Sequence, residues 1–139
     1  MTGSLEEPRG AEIVEAGELL LRQVCPAYVQ EDRITSQVFK PKTSDAGLLS
    51  VHRRSLVESP AAACELALRK QVKTCGAVAV TVAEVGQAGL RSHDDPEDAP
   101  IPDPAHAVID YRDRGSGAIE TSAKRLRSFA SARNWLHRL

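Results

Sequence analysis

The chain has 139 residues, a length typical of one domain that buries its own core without disulfides or a bound metal. Its formal net charge is −1 and 27% of its residues are charged, which argues against a protein adapted to nucleic acid or to an anionic membrane surface. Hydrophobic residues make up 42% but aromatic residues only 4%, so the core must consist mainly of Ala, Val and Leu.

The N-terminal part of the chain combines a polar tail with a clear strand pattern. The first ten residues, MTGSLEEPRG, offer almost nothing to a core, so we expect a disordered tail over 1–10 and one folded domain over 11–139. The run ELLLRQV, at 18–24, predicts a strand that ends before Pro26, because proline has no amide hydrogen to donate to a neighbouring strand.

Two more strands are predicted before the first helix. RITSQVF, at 33–39, places Ile34 and Val38 on one face and ends before Pro41. LLSVHR, at 48–53, follows the turn-like segment KTSDAG. Together with the first strand, these two segments predict a meander.

A helix is predicted over 60–73. Ser59 can cap its N-terminus, and Pro60 suits its first position because that position needs no amide hydrogen. The face expected to be buried repeats at helical spacing and consists of Ala61, Cys64, Leu68 and Val72.

A strand and a second helix are predicted next. Gly76 ends the first helical region, and AVAVTV, at 77–82, is apolar on both faces, which is typical of a strand inside a sheet. TVAE, at 81–84, has the spacing of a capping box, in which Thr81 and Glu84 each bind a free amide at a helix start. Continuation of the strand competes with a short helix over 82–88, closed by Gly89, and we favour the helix.

The last third of the chain predicts a loop, a strand and a helix. The segment 91–105 contains four prolines and is predicted to be a loop, whereas HAVIDY, at 106–111, predicts a strand that RGSG, at 114–117, interrupts. An amphipathic helix is predicted over 118–133, and Trp135 with Leu136 is expected to dock back on the domain. The expected buried stripe of this helix is Ile119, Ala123, Leu126 and Ala130.

These elements predict one α+β domain. About five strands would form a mixed, mostly antiparallel sheet, packed against two main helices at 60–73 and 118–133.

Ser50, His52 and Arg54 are the first candidate site residues, because alternate residues of a strand point to the same face. His52 could transfer a proton near neutral pH, and Arg54 could bind a phosphate or carboxylate. The alternative is an antiparallel strand with one solvated face and no ligand.

His106 is the second candidate. It follows a proline-stiffened acidic loop and shares a strand face with Asp110, but the two Cα atoms would be about 13 Å apart, so each needs a partner elsewhere. His106 is either a functional side chain on a rigid support or a residue that caps its strand by bonding a loop carbonyl.

No motif of a known catalytic or cofactor-binding class is present. HAVID lacks the H-x-E pattern of zinc deaminases, and nucleotide-binding glycine motifs, HExxH and GxSxG are missing too. The cysteines lack the CxxC spacing of a zinc site and are expected to be reduced and unreactive; they are Cys25, Cys64 and Cys75. We therefore expect no metal and no cofactor.

Charge is distributed unevenly along the chain. The segment 93–103 carries five carboxylates and no Lys or Arg, and it could pair with the basic face of the last helix, around Lys124, Arg125 and Arg127. Nucleic-acid binding is not expected, because only one of the two Tyr and two Phe residues, Phe129, lies in the basic region and the net charge is not basic. No window has the length of a membrane span and the N-terminus does not have the pattern of a signal peptide, so we expect a cytoplasmic protein.

Four segments carry a family resemblance: LLLRQVCPAYVQEDRITSQVFKPK, GLLSVHR, HAVIDY and ARNWLHRL. In this order, over about 19–139, they resemble a family of small single-domain bacterial proteins with no established activity. The resemblance implies a bacterial origin and a compact domain. By analogy of shape, Arg22, Ser36 and the polar SVHR strand would suit a nucleotide-sugar or phosphate pocket.

Two functional hypotheses follow. The first is a non-enzymatic module that binds another protein as an accessory component of a bacterial system, because no nucleophile, base and orienting group converge at a recognisable spacing. The alternative is a small nucleotide- or phosphate-binding enzyme that uses Arg22, His52, Arg54 and His106. A homo-oligomeric structural protein is a third possibility. A shared concave pocket around the histidines would favour the enzyme.

Overall fold

The computed structural model describes residues 10–139, so the predicted tail, apart from Gly10, lies outside the described residues. Its helices are α1 (Pro60–Arg69), α2 (Val82–Gln87) and α3 (Ser116–Arg133). Its strands are β1 (Leu19–Gln23), β2 (Val29–Gln30), β3 (Arg33–Ile34), β4 (Leu48–Arg53), β5 (Gly76–Thr81), β6 (Arg91–Asp94), β7 (His106–Asp110) and β8 (His137–Arg138).

The architecture is a single α+β domain, as predicted. Six strands form one sheet in the order β6-β7-β4-β1-β5-β8, and every neighbouring pair is antiparallel. The two short strands β2 and β3 form a separate hairpin. The sheet therefore has one strand more than expected and no parallel pair. No helix among residues 10–139 is both long enough and apolar enough to cross a membrane.

The core lies on both faces of the sheet, with the larger part under α3. The stripe predicted for this helix is confirmed at Ala123, Leu126 and Ala130, which are fully buried, and Ile119 packs against the same core but is only partly buried. The opposite face is covered by α1, whose Ala63 packs near Leu21 of the central strand β1. Ser50 and His52 lie at the margin of this second sheet face, the one that α1 covers.

The strand predicted over 33–39 is wrong beyond its first two residues. After β3 the chain forms a 3₁₀ turn over Ser36–Phe39, and Val38 and Phe39 are both fully buried. Adjacent residues of a strand point to opposite faces, so a strand could not bury both in the same core cluster. The predicted meander is wrong as well, because β4 pairs directly with β1.

Helix α1 begins as predicted but ends earlier. The Ser59 hydroxyl accepts a hydrogen bond from the amide of Ala62 at 3.0 Å, which confirms the cap. The chain leaves the helix at Gln71, which adopts a left-handed backbone conformation with φ of 65°. The predicted buried stripe is wrong except at Cys64: the buried residues are Ala63, Cys64 and Ala67. Ala61 is half-buried, and Leu68 and Val72 are 49% and 43% exposed.

The predicted capping box of α2 is confirmed. The Thr81 hydroxyl accepts from the amide of Glu84 at 3.1 Å, and the Glu84 carboxylate accepts from the amide of Thr81 at 2.8 Å. The chain therefore forms α2 instead of continuing β5, because the amides of Thr81 and Glu84 are both hydrogen-bonded at the first turn of the helix.

The segment predicted as a loop over 91–105 contains the edge strand β6. Its first proline is Pro96, so Arg91–Asp94 are free to donate amides, and they pair with β7. The remaining loop closes on itself through two backbone hydrogen bonds between Glu97 and Asp103, at 3.0 and 2.8 Å. This closure brings the acidic side chains of the loop close to the start of β7, at His106.

The C-terminal segment docks on the domain, as expected. Trp135 packs against the main core, and β8 pairs with the start of β5. Gly76 makes this possible, because its φ is 152° and an added Cβ would lie 2.5 Å from the carbonyl oxygen of His137.

Candidate functional site

The two candidate histidines are brought together by the pairing of β4 with β7. His52 and His106 are directly opposed in the register, and their ring centroids are 5.9 Å apart in an edge-to-face arrangement of 82°. Each residue is only 6% exposed. The two histidines therefore converge, although no spacing in the sequence indicates that they do.

Ser50 lies beside His106 on the same sheet face. The hydroxyl oxygen of Ser50 is 3.1 Å from Nε2 of His106, and Nδ1 of His106 is 2.8 Å from the backbone carbonyl oxygen of Asp95. A carbonyl oxygen only accepts, so Nδ1 carries a proton. In the neutral ring, Nε2 is then the acceptor for the Ser50 hydroxyl.

His52 has a carboxylate partner. Its Nε2 is 2.7 Å from Oδ2 of Asp103, which is fully buried. Burial lowers the pKa of the His52 imidazole, and the hydrogen bond to Asp103 offsets this only in part. His52 is therefore neutral at pH 7 and donates its Nε2 proton to Asp103.

Lys70 links the end of α1 to the acidic loop. Its Nζ is 2.8 Å from Oδ2 of Asp103 and 2.6 Å from Oε1 of Glu97. Burial opposes charge on Asp103 and on Lys70, but the hydrogen bonds between them and their neighbours outweigh it, so the pKa of Asp103 is lowered and the pKa of Lys70 is raised. The loop is thus held to the helix by a charged network.

Asp95, Glu97 and His106 form the centre of this network. One ligand atom from each of the three residues lies within 4.8 Å of the others. Oε2 of Glu97 is 3.8 Å from Nε2 of His106, and Oδ2 of Asp95 is 3.3 Å from Nδ1. We call the complete set the histidine–acid cluster, which consists of His52, Lys70, Asp95, Glu97, Asp103 and His106.

Two buried atoms of the histidine–acid cluster lack a partner. Among residues 10–139, neither Nδ1 of His52 nor Oδ1 of Asp103 has a hydrogen-bond partner, although both are shielded from solvent. Unpaired polar atoms are rare in protein interiors and often mark the place of a water or an ion.

A cleft of about 560 Å³ adjoins the histidine–acid cluster, and Ser50 lies in its wall. Pairing between β1 and β4 is limited to Leu20↔Arg53 and Leu21↔His52. Where the strands separate, the Arg22 guanidinium donates to the carbonyl oxygens of Val38, at 2.8 Å, and of Ser50, at 2.9 Å. Besides Ser50, the cleft is lined by Arg22, Lys42, Asp45 and Lys73, among other residues.

The structure brings three of the five predicted ligand-binding residues into this region. Arg22 lines the cleft, and His52 and His106 belong to the neighbouring cluster. Ser36 begins the 3₁₀ turn that packs on α3, and Arg54 lies beyond the end of β4, where it donates to the carbonyl of Val57 at 3.1 Å. The predicted alignment of Arg54 with Ser50 and His52 fails because the strand ends at Arg53.

Sequence reasoning missed Lys70, Asp95, Glu97 and Asp103 as site residues. The only signal for the three carboxylates is the acidic run that precedes His106, for which the sequence leaves open a pairing with the basic face of the last helix. In the structure, Lys70 and Arg53 bind this segment instead, with Arg53 Nη1 2.9 Å from Oδ1 of Asp94.

Of the three cysteines, Cys25 lines the cleft. All three are free thiols, and burial raises the pKa of Cys64 and of Cys75. A thiol that stays protonated is a poor nucleophile, so Cys64 and Cys75 are not activated by their surroundings.

Comparison of the chain with protein-family models, with curated proteins and with solved structures finds no match in any of the three. Function is therefore inferred from the geometry and charge of the cleft and of the histidine–acid cluster.

Proposed function

We propose that the protein binds a small phosphate-bearing molecule in the cleft beside Ser50. The observation that carries this proposal is the position of Arg22, a partly buried guanidinium that lines the cleft and donates to two carbonyl oxygens. Planar guanidinium groups are the side chains best suited to bind phosphate oxygens.

The charge around Arg22 supports an anionic ligand. Among residues 10–139, no carboxylate lies within ion-pair distance of the Arg22 guanidinium, and Asp45 influences it only at longer range. Lys42 and Lys73 line the same cleft. Three cationic groups therefore face one carboxylate, and a buried positive charge without a direct counter-ion is costly unless a ligand supplies one.

The neighbouring His106 gives the cleft a group that can exchange protons. Ser50 lines the cleft and its hydroxyl bonds Nε2 of His106, so a ligand on Arg22 would lie next to this pair. A base that is oriented by a third group, here the carbonyl of Asp95, is a common arrangement in enzymes. This favours the enzyme hypothesis over a purely structural role.

The other hypotheses remain predictions. A protein-binding accessory module in a bacterial system would need a continuous apolar surface, and the exposed Leu68 and Val72 near the end of α1 are its best candidates. Homo-oligomerisation and a cytoplasmic location are also predictions, and the free cysteines support a reducing compartment.

Isothermal titration with inorganic pyrophosphate tests the proposal. We expect saturable binding that weakens about threefold to tenfold in Lys73→Gln, since one charge contact contributes about 1 kcal/mol. The matched control is Lys124→Gln, which removes an exposed lysine of α3 and should leave the affinity unchanged. Absence of saturable binding, or equal binding by both variants, would overturn the proposal.

A further inference from the structure

We infer that Asp95, Glu97 and His106 form a binding site for a divalent transition-metal cation such as Mn²⁺ or Zn²⁺. Their ligand atoms converge within 4.8 Å, at the point where the acidic loop crosses the start of β7. This inference goes beyond the proposed binding of phosphate, and it is tested without phosphate.

The donor set fits such an ion. Ions of this class bind imidazole nitrogen and carboxylate oxygen at about 2.0–2.2 Å, so two ligands of one ion lie about 3 to 4.4 Å apart. The 3.8 Å between Oε2 of Glu97 and Nε2 of His106 is within this range. Because Nδ1 donates to the carbonyl of Asp95, the lone pair of neutral His106 is on Nε2, the nitrogen that faces Glu97. An ion bound there replaces the hydrogen bond from the Ser50 hydroxyl to Nε2.

Neighbouring groups already orient two of the ligands. Lys70 binds Oε1 of Glu97 at 2.6 Å, while Oε2 is the oxygen nearer to His106. The backbone carbonyl of Asp95 fixes the His106 ring. Hydrogen bonds of this kind, which hold the far side of a ligand group, are a regular feature of metal sites.

Buried atoms without a partner are a second observation that points to an ion. Lys70 is shared by Glu97 and Asp103, and within the described part of the chain Oδ1 of the fully buried Asp103 has no hydrogen-bond partner. Nδ1 of His52 lacks one as well. Unpaired polar atoms are rare in protein interiors and often mark the place of an ion or a water, and a hydrated divalent ion in this cluster would give these atoms water contacts.

The ligand types favour a transition metal over Ca²⁺. Calcium sites are built from six to eight oxygen atoms, whereas this centre offers an imidazole with two carboxylates and no thiolate. Mn²⁺ is the suitable probe, because the free cysteines compete less for it than for Zn²⁺.

Titration of the protein with Mn²⁺, followed by the EPR signal of the free ion, measures the affinity. We expect one site in the wild type and at least tenfold weaker binding in Glu97→Gln. The Glu97 side chain is 33% exposed, so its amide variant should fold, and circular dichroism verifies this. Glu65→Gln removes an exposed carboxylate from α1 and is the matched control, with wild-type affinity expected.

Proton NMR of the wild type locates the ion without any variant. Bound Mn²⁺ should broaden the ring signals of His52 and His106 far more than those of His137, which lies four strands away from β7, at about 4.8 Å per strand, because the broadening falls steeply with distance. The inference fails if the wild type binds no Mn²⁺ saturably, if Glu97→Gln binds as well as wild type, or if His137 is broadened most.

Discussion

Ser50 and His106 lie on neighbouring antiparallel strands, and the Ser50 hydroxyl oxygen is 3.1 Å from Nε2 of His106. The other ring nitrogen faces the carbonyl oxygen of Asp95 at 2.8 Å. The position of the histidine proton is thus fixed by a backbone group of the acidic loop, and the serine hydroxyl is held at the border between the cleft and the histidine–acid cluster.

Long-range ¹H–¹⁵N NMR of the histidine rings tests this arrangement. We expect neutral His106 to carry its proton on Nδ1, because a carbonyl oxygen can only accept. Ser50→Ala removes the exposed hydroxyl and should leave this tautomer unchanged, with a loss of folding stability of about 1 kcal/mol or less. A neutral ring that is protonated on Nε2 would contradict the assignment.

Asp103→Asn tests the charged network of Asp103, Lys70 and His52. The amide keeps the shape of the buried carboxylate but removes its charge, and Lys70 then faces a neutral oxygen or an amide group. We expect the free energy of unfolding to fall by about 3 kcal/mol, as when one partner of a buried ion pair is removed.

Urea denaturation at pH 7 provides the measurement. Asp98→Asn changes an exposed carboxylate of the same loop and should alter stability by less than about 0.5 kcal/mol. Equal stability of the two variants would mean that the network does not hold the loop.

Much of the fold can be predicted from the sequence because local chemistry determines it. The apolar runs of β1, β4, β5 and β7, the Ser59 cap and the Thr81 and Glu84 capping box are all readable over a few residues. The errors also have local causes. The four prolines of 91–105 predict a loop, but the four residues of β6 precede all of them and form a strand. The alternation of polar and apolar residues predicts a strand through Val38 and Phe39, but a 3₁₀ turn buries both side chains.

The site is less predictable because its contacts are not local. His52 meets His106 only through the register of β4 with β7, and Lys70 reaches Asp103 only because α1 packs over the same sheet face. Each residue is visible in the sequence, but no short-range pattern indicates which strands pair. Arg54 was predicted from a local pattern that failed: β4 ends at Arg53, so Arg54 lies one residue beyond the strand and does not share the face of Ser50 and His52.

Glu84 makes stability depend on pH at the acidic end. Burial opposes its ionisation, but hydrogen bonds from Arg133, at 2.9 and 3.0 Å, and from Thr81 outweigh this and lower the pKa of its carboxyl. A pKa lower in the folded than in the unfolded state adds stability above the unfolded value, near 4.5, and this stability is lost as the pH falls through the folded value.

Glu84→Gln therefore separates the contribution of this charge. We expect a loss of about 1 to 2 kcal/mol at pH 7, from the capping box and the ion pair, and a smaller difference from wild type below about pH 4. Thermal unfolding from pH 3 to pH 7 measures it. Glu65→Gln should follow the wild-type curve, and a constant gap between Glu84→Gln and wild type would refute a charge effect.

Two glycine substitutions should change stability in opposite directions. In Gly76→Ala, the new Cβ would lie 2.5 Å from the carbonyl oxygen of His137 and 3.0 Å from ring atoms of Trp135, at a φ of 152° that disfavours alanine. We expect a loss of about 2 kcal/mol or more, together with displacement of β8.

Gly117 lies in α3 with nothing within 4 Å of an added Cβ, so Gly117→Ala should stabilise by about 0.5 kcal/mol. Urea unfolding followed by Trp135 fluorescence reports both effects, because this is the single tryptophan and it packs against Gly76. A Gly76→Ala protein as stable as wild type would mean that the C-terminal strand is not docked as described.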